Sequence, residues 1–292
     1  MRGAFVDAVT DALDHDPRIA VVLADISADL FAPAKGRHPD RVVNVGIREQ
    51  LMLGIAAGLA AEGMRPVVHT YAPFLLERPF ESLKVDLAHQ GLGAVLVSVG
   101  ASYDVPGYGR THACPEDVAL LDALTAWRVI VPGHAEEAGS LLRDALAGDD
   151  RVYVRLTEAS NARPQAIAPG RFTVIRRGRR GTVLAVGPLL DAAVEALGDL
   201  DVTVLYATTI RPFDSETLRA TLDAPQVVLV EPYLAGSSTT EVSRALVSLP
   251  HLVLGLGVTD VDLHRYGTRE EHDAAHGLDV PGLRRRILEF LS

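Results

Sequence analysis

The chain has 292 residues, 48% hydrophobic and 23% charged, with a formal net charge of −10. This is the composition of a packed globular protein too long for a single core, so two domains are expected. The acidic balance excludes nucleic acid and anionic membrane as natural partners, and a lone Cys114 excludes an intrachain disulfide or a cysteine-built zinc cage.

Phe5, Ala8, Val9, Ala12 and Leu13 predict an amphipathic opening helix, not a signal or transit peptide. No apolar run nears the ~20 residues needed to span a bilayer, and a cytoplasmic location is expected. Arg18 to Leu23 reads as a buried strand with Asp25 at its carboxyl end, where open parallel sheets place ligands. Next, Arg41-Val42-Val43-Asn44-Val45 leads through Gly46 into a helix beginning near Glu49 and ending at Gly63. Counted from Glu49, the same-face positions Met52, Leu53, Ala56, Ala57 and Ala60 are all apolar. Glu49 therefore heads a stripe facing protein. Spacing alone allows two readings: a first-turn acid complementing the helix dipole, or a buried carboxylate kept for proton work. Gly54, Ala57, Gly58 and Ala61 add a small-residue face suited to close packing.

Pro66 to Thr70 predicts a strand and Phe74 to His89 a helix, with Tyr71 and Phe74 at the junction. That aromatic pair is either core or a wall for a flat ligand. After a strand over Ala94 to Gly100 comes a long loop, Ala101 to Pro115, presenting Tyr108 and His112. A helix over Glu116 to Ala126, a strand Arg128 to Val131, a helix Ala135 to Ala147 and a strand Val152 to Leu156 follow. The alternation predicts an α/β protein, a doubly wound parallel sheet over residues 1–160. Residues 161–180, with Arg176-Arg177-Gly178-Arg179-Arg180, read as a solvated linker. A smaller α/β domain, residues 181–292, is expected beyond it, closing with a helix from Val280 to Leu291. No phosphate loop, Gly-x-Gly-x-x-Gly turn or nucleophile elbow is present. His38, His89, His134 and His251 lack metal-ligand spacing and read as surface or packing residues.

In order along the chain, Gly46-Ile47-Arg48-Glu49-Gln50, Thr70-Tyr71-x-x-Phe74 and Gly109-Arg110-Thr111-His112 resemble the transketolase family. The likeness is to the carboxyl-terminal halves of transketolase and 1-deoxyxylulose-5-phosphate synthase. It extends over the chain to Tyr266-Gly267-Thr268-Arg269-Glu270-Glu271 and Gly277-Leu278-Asp279. The resemblance implies a pyrimidine-binding domain followed by a transketolase carboxyl-terminal domain, with thiamine diphosphate and Mg2+ as cofactors. It implies Glu49 on the aminopyrimidine N1′, promoting loss of the thiazolium proton, with Phe74 and Tyr71 stacked on that ring. Ile47 and Asp25 would also contact the cofactor, Asp25 near the thiazolium. His112 would face substrate, as would His69, Tyr108, Glu77 and Glu158. The family's Gly-Asp-Gly metal motif occurs nowhere here, so the resemblance implies a split enzyme. Its amino-terminal subunit would carry that motif, in a heterotetramer built as a dimer of heterodimers.

The chain also departs from the family. Tyr108 stands where an aspartate usually reads a substrate hydroxyl, and Glu77 where an aromatic or arginine is usual. Glu158 replaces a basic residue that grips sugar phosphate, and would repel one. The expected reaction is transfer of a two-carbon ketol unit from a ketose to an aldehyde, on a substrate other than an ordinary pentose phosphate. Alternatives are the beta subunit of a 2-oxo acid dehydrogenase and a non-catalytic assembly subunit of the same fold.

Overall fold

The structure is a computed structural model describing residues 1–124, 126–259 and 264–292. Its first sheet has seven strands in the order β10-β5-β6-β4-β3-β1-β2. These are β1 (Ile19–Leu23), β2 (Val42–Asn44), β3 (Arg65–Tyr71), β4 (Val95–Val99), β5 (Trp127–Ile130), β6 (Arg151–Arg155) and β10 (Thr209–Arg211). All pair in parallel except β10, which runs antiparallel to β5. The β1 residues Ile19, Ala20, Val21, Val22 and Leu23 are all buried, as a parallel strand covered on both faces requires.

One face of this sheet is covered by α1 (Arg2–His15) and α6 (Ala135–Ala147), whose Phe5, Val9, Leu13, Leu141 and Leu142 share a core with Val21 and Val97. The other face carries α3 (Glu49–Ala61), whose Glu49, Met52, Leu53, Ala56 and Ala57 are buried as the periodicity predicts. Each fully buried Leu or Met contributes roughly 1.5–3 kcal/mol, enough to fix this helix on the sheet whatever its end residues do.

A second sheet, β12-β11-β8-β9-β7, is built from β7 (Thr173–Arg176), β8 (Thr182–Val186), β9 (Thr203–Ala207), β11 (Gln226–Leu234) and β12 (Leu252–Val258). Its outer face packs on α7 (Leu190–Leu197) and α11 (Val280–Leu291). Its inner side joins the α3 side of the first sheet in one continuous core through Leu184, Leu205, Val227 and Tyr233. At the junction Arg211 donates to both carboxylate oxygens of Asp122, at 2.7 and 2.6 Å. Tyr206 donates to Glu137 Oε2 at 2.6 Å.

Four features depart from the sequence reading. The stretch expected as linker already contains β7, which pairs antiparallel with β9; its arginines hid a short edge strand. Their donors meet acceptors nearby, Arg176 on the Gly198 carbonyl and Arg179 on Asp201. Strand β10 comes from the second half but completes the first sheet. The helix expected over Glu116 to Ala126 is only α5 (Asp117–Asp122), and within the expected span Thr125 lies outside the described residues. Finally, α10 (Arg269–His276) is a further helix, opened by a capping box of Thr268 and Glu271.

Candidate active site

Between β2 and α3 the backbone turns at Gly46, whose φ of 71° is the left-handed region that glycine enters without strain. The Asn44 side chain fixes the approach: its Oδ1 accepts from the Gly46 and Asp25 N–H groups, while its Nδ2 donates to Asp25 Oδ1 at 3.0 Å. Asp25 is thereby held at the carboxyl edge of β1, exposed, with a φ of 62°. Glu49 follows as the first residue of α3, and its side chain is 2% exposed.

Strand β3 delivers Tyr71. The chain then winds wide through Pro73–Glu77 in place of the regular helix expected from Phe74 to His89, with a second wide segment at Leu83–His89. Arg78 N–H donates to the Pro73 carbonyl, five residues back, at 3.1 Å. Such π turns are rare and collect at functional sites. Here the turn sets the Arg78 guanidinium 4.2 Å from the centre of the Phe74 ring. It also puts Nη1 2.8 and 2.9 Å from the two oxygens of Glu49, giving the buried carboxylate its counter-charge. Arg78 escaped the sequence reading; its signal was its i+4 spacing from Phe74.

Strand β4 ends at Val99, and the loop beyond it returns His112 to the same place. The His112 ring lies 5.0 Å from Phe74, 5.4 Å from Tyr71 and 4.7 Å from Tyr108. Thr111 Oγ1 donates to the Tyr108 carbonyl at 3.1 Å and lies 3.0 Å from His112 Nδ1. Burial, and next the Arg78 charge, lower the imidazole's proton affinity below the ordinary histidine value. Glu49, Arg78, Phe74, Tyr71, Tyr108 and His112 thus form one continuous set, although they come from three separated stretches.

Other expected site residues sit elsewhere. His69 is wholly buried within the core, its ring 4.6 Å from Phe5, Nδ1 2.7 Å from the Val97 carbonyl and Nε2 2.8 Å from Ser27 Oγ. Its ring packs within the fold, with no exposed surface of its own. Burial lowers its pKa to about 4. Glu77 is an exposed residue, yet its carboxyl accepts from Cys114 Sγ at 3.4 Å, and the burial of that group by its neighbours raises it above the ordinary range. Together with Glu116 these two form a mixed oxygen and sulfur group, unlike the all-oxygen shell Mg2+ prefers. Ile47 is 70% exposed and Tyr108 59% exposed, at the rim of the set. Glu158 projects from the end of β6 into a cleft shared with Tyr71, Gly100, Thr157 and Arg2.

The loop that carries His112 is braced from α10 and β6. Tyr103 donates to Asp273 at 2.6 Å and stacks on His272, with ring centres 5.0 Å apart. Arg269 pairs with Asp104, which also accepts from Thr157 Oγ1 at 2.6 Å and from the Glu158 N–H at 3.0 Å. Beneath it, wholly buried Arg155 donates to Asp117 Oδ2 at 2.6 Å and also to Ser102.

A doubly wound domain with this carboxyl-edge cluster, followed by a second α/β sheet, is a two-sheet α/β architecture, and similarity gives its family. Residues 1–163 match the family described as Transketolase, pyrimidine binding domain. The chain belongs to the transketolase family and corresponds to its carboxyl-terminal portion. It is 53% identical, over 99% of its length and 94% of the relative's, to a protein of Rhodococcoides fascians described as an uncharacterized 33.6 kDa protein in the fasciation locus. It is 30% identical to a subunit of the apulose-4-phosphate transketolase of Actinobacillus succinogenes, covering 96% of this chain and 93% of that one. To 1-deoxy-D-xylulose-5-phosphate synthase of Azoarcus sp. it is 33% identical over 96% of this chain but only 46% of that enzyme. Among solved structures, one described as "Split gene transketolase, inactive beta4 tetramer" matches with a TM-score of 0.86 at 27% identity, covering 99% of this chain and 97% of that one. Among the described residues no helix is long and apolar enough to cross a membrane.

Proposed function

We propose that this chain is the pyrimidine-binding subunit of a two-subunit, thiamine-diphosphate-dependent transketolase that works in the cytoplasm. The observation that carries this reading is the convergence of Glu49, Phe74, Tyr71 and His112 on one place. The slot fits the flat, nitrogen-edged half of the cofactor: a buried carboxylate at its floor and an aromatic face beside it, already accommodating a planar guanidinium. The diphosphate half finds no such match in this chain, which has no Gly-Asp-Gly and, in the described residues, no all-oxygen acidic shell. An amino-terminal companion bearing that motif would hold Mg2+ and the diphosphate, in a dimer of heterodimers. The Actinobacillus succinogenes relative, itself described as one subunit of a transketolase, supports a division of this kind.

When bound, thiamine diphosphate supplies a carbon nucleophile and an electron sink for the two-carbon ketol unit passed from a ketose to an aldehyde. Glu49, 2% exposed, would hydrogen-bond the aminopyrimidine and hold a proton at N1′. Phe74 and Tyr71 would orient the ring. His112 would meet the substrate oxygens as a base. Tyr108 would line the entrance, Asp25 and Ile47 would contact the cofactor from the sheet edge, and Glu77 would lie behind, bonded to Cys114. Glu158 sets a carboxylate in the adjoining cleft, disfavouring a phosphate there and favouring an acceptor without one.

The test is co-purification with a Gly-Asp-Gly-bearing companion, then assay of the pair for ketol transfer with and without thiamine diphosphate. Cofactor-dependent transfer lost in Glu49→Ala supports the reading. Activity unchanged in that variant overturns it in favour of a non-catalytic subunit. Brisk turnover of xylulose 5-phosphate with ribose 5-phosphate overturns the substrate part.

A further inference from the structure

We propose that Arg78 is an internal stopper of the pyrimidine slot: its guanidinium occupies the Phe74 face and the Glu49 carboxylate, and it must swing out before the cofactor ring can enter. This rests on the reading of the slot given above. A guanidinium and an aminopyrimidine share what the slot selects, a flat group with N–H donors along one edge. Arg78 meets both features, stacked 4.2 Å from the Phe74 ring centre and donating to both Glu49 oxygens. A ring stacked on Phe74 and bonded to Glu49 cannot share that space with it.

The surroundings suit a residue that moves. The Arg78 side chain is 41% exposed whereas that of Glu49 is 2% exposed, so the arginine can leave into solvent without crossing packed core. Only Nη1 engages the carboxylate, and both of its contacts come from that one nitrogen, unlike the two-nitrogen fork of the strongest arginine pairs. Its backbone, by contrast, is tied down. The wide turn bonds the Arg78 N–H to Pro73, and Gln50 Nε2 donates to the Arg78 carbonyl at 3.3 Å. The motion required is therefore a side-chain rotation. One effect is on the subunit before cofactor binds, whose buried acid keeps a counter-charge until a ring replaces it. A second is on His112, which loses a neighbouring positive charge when Arg78 departs and becomes easier to protonate.

Thiamine, which lacks the diphosphate, is the probe, titrated calorimetrically into the chain, its Arg78→Leu and Arg78→Lys variants, and Glu49→Ala. Leucine removes the stopper, and the expected result is binding at least tenfold tighter than wild type. Lysine keeps the charge but not the plane, and is expected to fall between the two. Glu49→Ala is expected to abolish binding. Weaker or unchanged binding by Arg78→Leu, with wild type binding measurably, overturns the stopper and leaves the slot reading standing. Absence of thiamine binding by all four proteins at millimolar concentration overturns the slot reading and the stopper together. A crystal of the thiamine complex gives the second readout, since a guanidinium still on Phe74 beside the bound ring also overturns the proposal.

Discussion

Gly100 and the Tyr71 ring occupy space that admits no methyl group between them: a Cβ on Gly100 would lie 2.4 Å from Tyr71 Cδ1. Gly100 also has a φ of 68°, which costs an ordinary residue about 1–2 kcal/mol. Gly100→Ala should therefore push Tyr71 off His112 as well as strain the loop. A stability loss of about 2 kcal/mol or more in urea unfolding is expected, with loss of transfer activity in the reconstituted enzyme. A neutral alanine would show that Tyr71 is not held by this contact.

Glu49→Gln keeps the shape of the side chain and removes its charge. Because Arg78 is partly solvated, stability should change by less than about 1 kcal/mol, a shift of roughly 2–4 °C in melting temperature at most. Activity should fall on the order of 10²-fold or more, given the proton-handling role proposed for the lost group. Melting curves and steady-state rates on the same preparation check the two parts separately.

Asp117 is the acceptor for Arg155 and Tyr153, all three of them wholly or almost wholly buried. Asp117→Asn leaves the arginine without its counter-charge and should cost about 3–5 kcal/mol. The double variant Asp117→Leu with Arg155→Met should recover most of that loss, because it deletes both charges. Urea midpoints of the two variants decide the matter.

Two buried groups tilt stability with pH in opposite directions. Burial raises the Glu231 pKa to about 7, above its ordinary 4.5, so its contribution is fully present below 4.5 and is lost as pH rises toward 7. The pKa of His69 falls to about 4 from 6.5, so its contribution is present above 6.5 and is lost as pH falls toward 4. Glu231→Gln should flatten the decline in urea midpoint between about pH 5 and 8. His69→Gln should flatten the decline below about pH 6. A profile unchanged by either substitution counts against the corresponding burial.

Much of this architecture was legible because it rests on local periodicity. The stripe below Glu49 returned as the buried face of α3, and Val280–Leu291 has the predicted bounds. The site residues were legible as an ordered set of motifs, yet their neighbours were not. Arg78 reaches Glu49 only because the backbone winds wide after Pro73, and hydrophobic spacing does not encode that winding. The burial of His69 was not legible: a histidine at a strand's carboxyl end looks polar in one dimension, whereas Phe5 from α1 closes over it in three. Arg269, which pairs with Asp104, and Asp273, which accepts from Tyr103, come from α10, 165 and 170 residues further on.

Strand β10 has a consequence for how far such an enzyme can be subdivided. Residues 209–211 hydrogen-bond along β5, at the margin of a sheet whose other strands all end by Arg155. Severing the polypeptide near residue 180 would strip that margin and leave a raw β5 edge open to other chains. The two lobes therefore share a sheet as well as a core, and the chain has no clean seam near residue 180.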